Sequence, residues 1–264
     1  MSLQSAIEWT DATWNPVTGC TEVSPGCDNC YARTFAERWR GIPGHHFEQG
    51  FDLRLWSNRL EYPLKWKKPR RIFVNSMSDL FHKDVPDEFV LEVFEVMVRA
   101  NWHTFQVLTK RPARLVRLIS KISERVARVT NQVNSWPQNI WIGVSVETLD
   151  YHWRIDYLRE VPSSVRFVSA EPLLGSLRDI NLADIHWVIV GGESGANHRE
   201  CDPAWVRELR NLCQDRGVAF FFKQWGGKTS KSGGRLLDGR TWDEYPDLNS
   251  NHISSPMSSL VTIF

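Results

Sequence analysis

The sequence predicts an α/β protein built as a parallel (β/α) barrel, closed or incomplete. Short apolar runs alternate with amphipathic helical patterns along most of the chain, the order that lays helices over a parallel sheet. About seven such units fit, one short of a closed barrel. Each apolar run also finishes in polar or charged residues, and in a parallel barrel those carboxyl ends share one face. A doubly wound Rossmann sheet is the alternative, but no G-x-G-x-x-G follows any strand.

The elements follow in order. Residues 13–18 read as a short first strand leading into a cysteine-bearing loop at 19–31, and residues 31–40 as a helix. The stretch 41–66 has no period and is too long for a plain connection, which suits a lid or substrate surface. Residues 72–74 form a buried strand. Pro86 opens a helix carrying Phe89, Val90, Val93, Phe94 and Met97 on its apolar side. Strands follow at 104–108, 140–146, 165–168, 187–190 and 219–222, with helices at 112–129, 150–159 and 203–213. Beyond Trp225 the text turns to Gly, Ser, Asn and Asp. Residues 1–225 are therefore expected to form the barrel domain and 226–264 a loop-rich C-terminal extension. No internal repeat is evident.

Composition bounds the function. With 264 residues, 42% of them hydrophobic, the chain can bury a full core. A net charge of +1 gives no global attraction to nucleic acid or an anionic membrane. No apolar run reaches about 18 residues, and Met1-Ser2-Leu3-Gln4 lacks the basic and apolar regions of a signal peptide. A cytoplasmic protein with reduced thiols and no membrane partner is expected. Most of the 13 tryptophans are assigned to core and pocket walls.

Chemistry concentrates in two places. Cys20, Cys27 and Cys30 are spaced C-x6-C-x2-C, and Gly19, Pro25 and Gly26 let the backbone fold tightly around them. Thiolates are the soft ligands that both iron–sulfur clusters and zinc select. Three donors leave one metal position open, whereas structural zinc closes with four. A fourth zinc donor could come from Cys201, Cys213, His45, His46 or His198. The second place is the ring of strand ends: Asn75, Ser76, Ser78 and Asp79; Thr109, Lys110 and Arg111; Ser145 and Glu147; Ser169 and Glu171; Glu193 and Ser194; Lys223 and Gln224. Helix capping accounts for Ser78, Asp79 and Ser194 as well as function does. It suits Lys110 and Lys223 badly, because a cation at a helix N-terminus opposes the dipole. Lys110, Glu171, Glu193 and Lys223 are the catalytic candidates, with pairing of the two glutamates to the lysines in a structural network as the alternative.

The phrases Asn15-Pro16 to Gly19-Cys20 and Gly26-Cys27 to Cys30-Tyr31-Ala32-Arg33 resemble the cluster loop of radical S-adenosylmethionine (SAM) enzymes, in particular the spore photoproduct lyase-like, or DNA repair photolyase, branch. More of the chain is similar to a phage and prophage family of unassigned function described by its three-cysteine motif. The matching phrases are Ile7-Glu8-Trp9-Thr10, 73–81, 108–112, 191–195 and 237–240. The cysteine spacing is three residues longer than the usual C-x3-C, and Asn29 stands where an aromatic residue is common. The resemblance implies a radical-SAM-like barrel holding a [4Fe–4S] cluster on Cys20, Cys27 and Cys30. It implies SAM on the open iron, and an electron donor such as flavodoxin or ferredoxin. Reductive cleavage then releases a 5′-deoxyadenosyl radical that abstracts a substrate hydrogen.

Under that resemblance Lys110 or Arg111 meets the methionyl carboxylate. Ser76, Ser145 and Glu147 accept from the amine and ribose hydroxyls, Tyr31 offers an aromatic face, and Asp79 joins the cofactor-binding set. Gly191 and Gly192 let the backbone approach adenine or substrate. The Gly-Gly-Glu triplet at 191–193 matches one that binds the SAM amine in such enzymes, but there it follows the second strand, and the role is not carried over.

Two basic stretches suggest a nucleic acid or nucleotide substrate. One is Lys65 to Arg71, with Trp66 interleaved; the other is the stripe Arg111, Arg114, Arg117, Lys121, Arg125 and Arg128 along one helix. A solvated outer helix face is the favoured explanation of the stripe. The alternative function is a zinc-stabilised nucleic-acid- or partner-binding protein without turnover.

Overall fold

The computed structural model describes residues 4–133 and 135–248. Its elements run β1 (Ala12–Trp14), β2 (Val17–Thr18), α1 (Tyr31–Glu37), β3 (Arg54–Leu55), α2 (Tyr62–Lys65), β4 (Arg71–Val74), α3 (Asp87–Arg99), β5 (Thr104–Thr109) and α4 (Pro112–Thr130). They continue with β6 (Ile140–Ser145), α5 (Trp153–Arg159), β7 (Arg166–Ala170), β8 (Trp187–Gly191), α6 (Pro203–Arg216) and β9 (Ala219–Gln224). Seven strands pair in the order β1-β4-β5-β6-β7-β8-β9. Every pairing is parallel. Strands β1 and β9 are the two edges, so the sheet curls into an incomplete barrel with helices on its outside.

Alternation along each strand builds two cores. Ile72, Val74, Phe105, Val107, Ile142, Val144, Val168, Val188, Val190 and Phe222 face outward into the layer of helices. Trp9, Phe73, Trp141, Phe167, Trp187, Ile189 and Phe221 fill the hollow. Trp187 lies edge-on to Trp9, Trp141 and Phe221. That explains several of the tryptophans: an open barrel offers a wide interior, and large rings fill it. Gly143 faces the same way, and its missing side chain is where the Phe167 ring sits. Two residues further along, the same alternation points Lys110, Ser145, Ser169, Gly191 and Lys223 toward the mouth. Helix α6 shows ordinary end chemistry: Asp202 accepts from the Ala204 amide at 2.8 Å and Gly217 closes it in the left-handed region.

Three expectations are refined. The single strand at 13–18 is broken: Pro16 cannot donate to a ladder, and the chain turns from β1 into β2, which pairs antiparallel with β3 in a separate ribbon. The stretch 41–66 is organised by that ribbon and by α2, and its Phe47 and Phe51 pack on Ala32 and Ala36 of α1. The described part of the C-terminal extension docks: Leu237 and Trp242 are buried in the outer core, and Phe221 bridges Asp243 antiparallel, covering the β9 edge. Residues 249–264 of that predicted extension lie outside the described residues. Among the described residues no helix is long and apolar enough to cross a membrane.

Candidate functional site at the barrel mouth

The cysteine loop lies across the carboxyl ends of the strands. It leaves β2 through Gly19, whose φ of +82° and close approach to the Phe51 and Asp52 carbonyls admit no side chain. Gly19 bridges Ser78 beyond β4. A single turn at Pro25–Cys27 follows, and Cys30 precedes α1. Several groups beyond the loop then hold it. Arg111 donates from Nη1 to Cys20 Sγ at 3.3 Å and from Nη2 to the Thr21 carbonyl at 2.8 Å. Glu147 Oε1 accepts from the Ser24 hydroxyl and from the Gly26 amide at 3.3 Å. Glu193 Oε2 accepts from Asn29 Nδ2 at 2.9 Å. Tyr31, 55% exposed, donates its hydroxyl to the Ser76 carbonyl at 2.5 Å.

All three loop cysteines are free thiols. Burial pushes the Cys20 thiol up, with Asp79 adding to the rise while Arg111 opposes it. Burial likewise raises Cys30, against backbone amides and Lys110. A metal ion displaces such protons on binding. The donor set fits a thiophilic centre, with three soft sulfurs on one loop and cations against two of them. Among the described residues no group of three or more His, Cys, Asp and Glu side chains is close enough to hold an ion. Cys27 acts electrostatically on both Cys20 and Cys30.

Below the loop, Lys223 Nζ meets Glu171 Oε1 at 2.8 Å, with side chains 19% and 15% exposed. Ser169 Oγ lies 3.4 Å from the other Glu171 oxygen. Ser145 is buried, and its carbonyl accepts from Arg154. Lys110 has no carboxylate partner among the described residues, and Arg111 is engaged by Cys20, Thr21 and Asp79. Lys110 is thus the free cation of that pair.

Other predicted site residues are engaged by their neighbours. The buried Asp79 carboxylate takes the Thr109 hydroxyl at 2.8 Å, the Phe81 and Lys110 amides at 2.9 and 3.0 Å, and Arg111 at 3.2 Å. It ties the β4 end to the β5 end. Ser76 Oγ donates to Asn15 Oδ1 at 3.2 Å. The expectation that Gly192 lets a ligand approach is corrected, because the space beside it is filled by the Trp225 carbonyl. Gly191 instead makes room for Glu171, whose Oε1 would lie 2.7 Å from an added Cβ.

Part of each basic stretch is taken up by neighbouring carboxylates. Arg114, Lys121 and Arg125 are paired with Asp87, Glu88 and Glu95 of α3. Residues 65–70 lead into β4 at the amino edge of the sheet, opposite the cysteine loop, and Arg71, the first residue of β4, pairs with Asp11 and covers the Tyr245 ring. Among the proposed fourth zinc donors, Cys213 is in the outer core. Burial pushes Cys201 up to about 12, and His46 is bonded to Arg59.

Sequence reasoning missed Arg154 and Arg199. Arg154 is buried and donates to Glu147 Oε2 at 2.8 Å. Arg199 grips Glu193 and reaches across to Asp28 and the Pro25 carbonyl. Burial alone would raise Glu193, but Arg199 and Asn29 outweigh it and hold the carboxyl below its usual range. The only signal was proximity in sequence, seven residues from Glu147 to Arg154 and six from Glu193 to Arg199.

Comparison with known proteins adds a family and two likenesses. A profile of the family described as "Protein of unknown function (DUF5131)" matches residues 4–246. No curated protein sequence matches. A solved structure of spore photoproduct lyase complexed with dinucleoside spore photoproduct is similar at 12% identity and a TM-score of 0.43. The match covers 75% of this chain and 58% of that one. A double mutant of spore photoproduct lyase with bound AdoMet and dinucleoside spore photoproduct is similar at 13% identity and a TM-score of 0.44, over 76% and 59%. This chain therefore spans less than two thirds of the length of those structures.

Proposed function

The chain belongs to the DUF5131 family of unknown function, and from that premise we propose that it is a radical SAM-type iron–sulfur enzyme. The observation that carries the reading is a loop bearing three free thiols, laid over the polar mouth of an incomplete parallel barrel. Cys20, Cys27 and Cys30 would hold the cluster, leaving one iron for SAM. Such a cluster, reduced by an external one-electron donor, would supply the electron for reductive cleavage of the SAM sulfonium.

The chain's own residues do the rest. Lys110 presents a cation without a carboxylate partner for the methionyl carboxylate. Ser145 offers a hydroxyl at the β6 end, and Tyr31 a half-exposed ring beside the loop. The aromatic floor formed by Phe73, Trp141, Phe167 and Trp187 excludes water from the hollow beneath. The Lys223–Glu171 pair faces the mouth with both charges partly open, placed to orient a polar substrate. A nucleobase or nucleic-acid substrate is supported by aromatic and basic residues around α1 and β3. Phe35 of α1 and Trp39 just beyond it are exposed near Arg38 in sequence, and at and after β3 Arg54 and Arg59 lie over the Trp56 ring at 4.1 and 4.2 Å. None of these three arginines has a carboxylate partner among the described residues.

Anaerobic reconstitution with iron and sulfide tests the reading. Wild type is expected to take up about four irons per chain and to release 5′-deoxyadenosine from SAM after reduction. Cys27→Ala is expected to do neither. SAM cleavage retained in that variant would overturn the assignment.

A further inference from the structure

Glu147 and Glu193 sit at the ends of different strands, and each carboxylate joins the cysteine loop to an arginine. Glu147 gives Oε1 to Ser24 and Gly26 of the cysteine loop and Oε2 to Arg154. Glu193 gives Oε2 to Asn29 and to Arg199, and Oε1 to Arg199 again. Arg199 continues to the Asp28 carboxylate at 3.1 Å and the Pro25 carbonyl at 2.8 Å. Both carboxylates are buried, at 0% and 5% exposure. Residues 24, 25, 26, 28 and 29 are therefore held on both sides of Cys27, whose own thiol makes no hydrogen bond among the described residues. The approach is tight: a Cβ on Gly26 would lie 2.8 Å from Glu147 Oε1. Asn29, the departure from the usual aromatic, provides the side chain that reaches Glu193.

We infer that Glu147 and Glu193 are positioning residues which clasp the cysteine loop from both sides and fix the frame on which Cys27 and Cys30 bind metal. The inference rests on the reading of those thiols as ligands, and it removes both carboxylates from the set that touches SAM or substrate. A buried carboxylate gripped by an arginine on one side and by backbone or amide donors on the other is rigid, and rigid partners of this kind tune metal affinity.

Cobalt(II) titration of the reduced, metal-free full chain, followed by its thiolate charge-transfer band, separates this role from the others. Glu147→Gln and Glu193→Gln are expected to weaken cobalt binding about 10- to 100-fold. Ser24→Ala and Asn29→Ala, which leave the carboxylate–arginine pairs intact and so preserve folding, are expected to weaken it in the same direction. Glu88→Gln, on the distant α3–α4 contact, is expected to bind as wild type does. SAM affinity per metal-loaded chain is expected to be unchanged in every variant. Wild-type cobalt affinity in folded Glu193→Gln and in Asn29→Ala overturns the inference. So does weakened SAM affinity with intact metal affinity, which would make the carboxylates ligand contacts. Weakened cobalt binding in a protein whose reconstituted wild type leaves SAM intact supports the clasp and sinks the proposed function alone.

Discussion

Lys223 and Glu171 pair at 2.8 Å from strands that are not neighbours: β8 runs between them, and at their level it carries Gly191. A Cβ there would come within 2.7 Å of the Glu171 oxygen that Lys223 binds. The glycine is what allows a charge pair to span a strand, and the pair sets the polarity of the barrel mouth. Gly191→Ala is therefore expected to push the Glu171 carboxylate aside and separate the charges, lowering stability by about 1 kcal/mol or less, the usual worth of a partly exposed pair. Turnover of the natural substrate should fall while iron content stays at the wild-type level. Urea unfolding together with metal analysis checks both halves.

The Glu147–Arg154 pair is buried on both sides. Removing one partner leaves an uncompensated charge, so Arg154→Leu is expected to cost about 3–5 kcal/mol. Changing both residues to leucine should recover part of that loss. A double replacement less stable than Arg154→Leu alone, measured in the same urea series, would contradict the account.

Glu193 fixes a pH dependence. Its folded carboxyl lies below the ordinary 4.5, because Arg199 and Asn29 outweigh burial. The folded state thus binds fewer protons than the unfolded state as pH falls through that range. The stabilisation is complete above about 4.5 and is lost as pH drops through the folded value. Wild type and Glu193→Gln are expected to differ in stability at neutral pH and to converge in acid. A difference that grew toward low pH would reverse the sign and refute the assignment.

The distribution of unpaired cations makes a separate prediction about polyanions. Lys67→Glu with Lys68→Glu, at the amino edge of the sheet, is expected to leave binding of a single-stranded oligonucleotide unchanged. Arg38→Glu with Arg54→Glu is expected to weaken it and to lower the salt slope by roughly 0.7 per lost contact. Fluorescence anisotropy across a salt series reads both.

The barrel and its mouth were legible because each depends on local rules. Apolar runs mark the strands, and alternation sends Lys110 and Lys223 toward the open end. What could not be read were pairings decided by packing. The stripe on α4 looks free in the sequence, and only the crossing of α3 brings Asp87, Glu88 and Glu95 against it. Glu147 and Glu193 looked like ligand contacts for the same reason: nothing local says that Arg154 and Arg199 will fold back, or that the cysteine loop will cross above them. Gly191 and Gly192 illustrate the limit at a single step. Both were read as room for a ligand, and the fold gives that room to Glu171 and to the Trp225 carbonyl.

Electron paramagnetic resonance of the reduced, reconstituted protein with and without SAM bears most directly on an iron centre with one position open. A signal that depends on Cys20, Cys27 and Cys30 and shifts when SAM is added is the expected result. A three-cysteine cluster whose signal is indifferent to SAM would contradict the account.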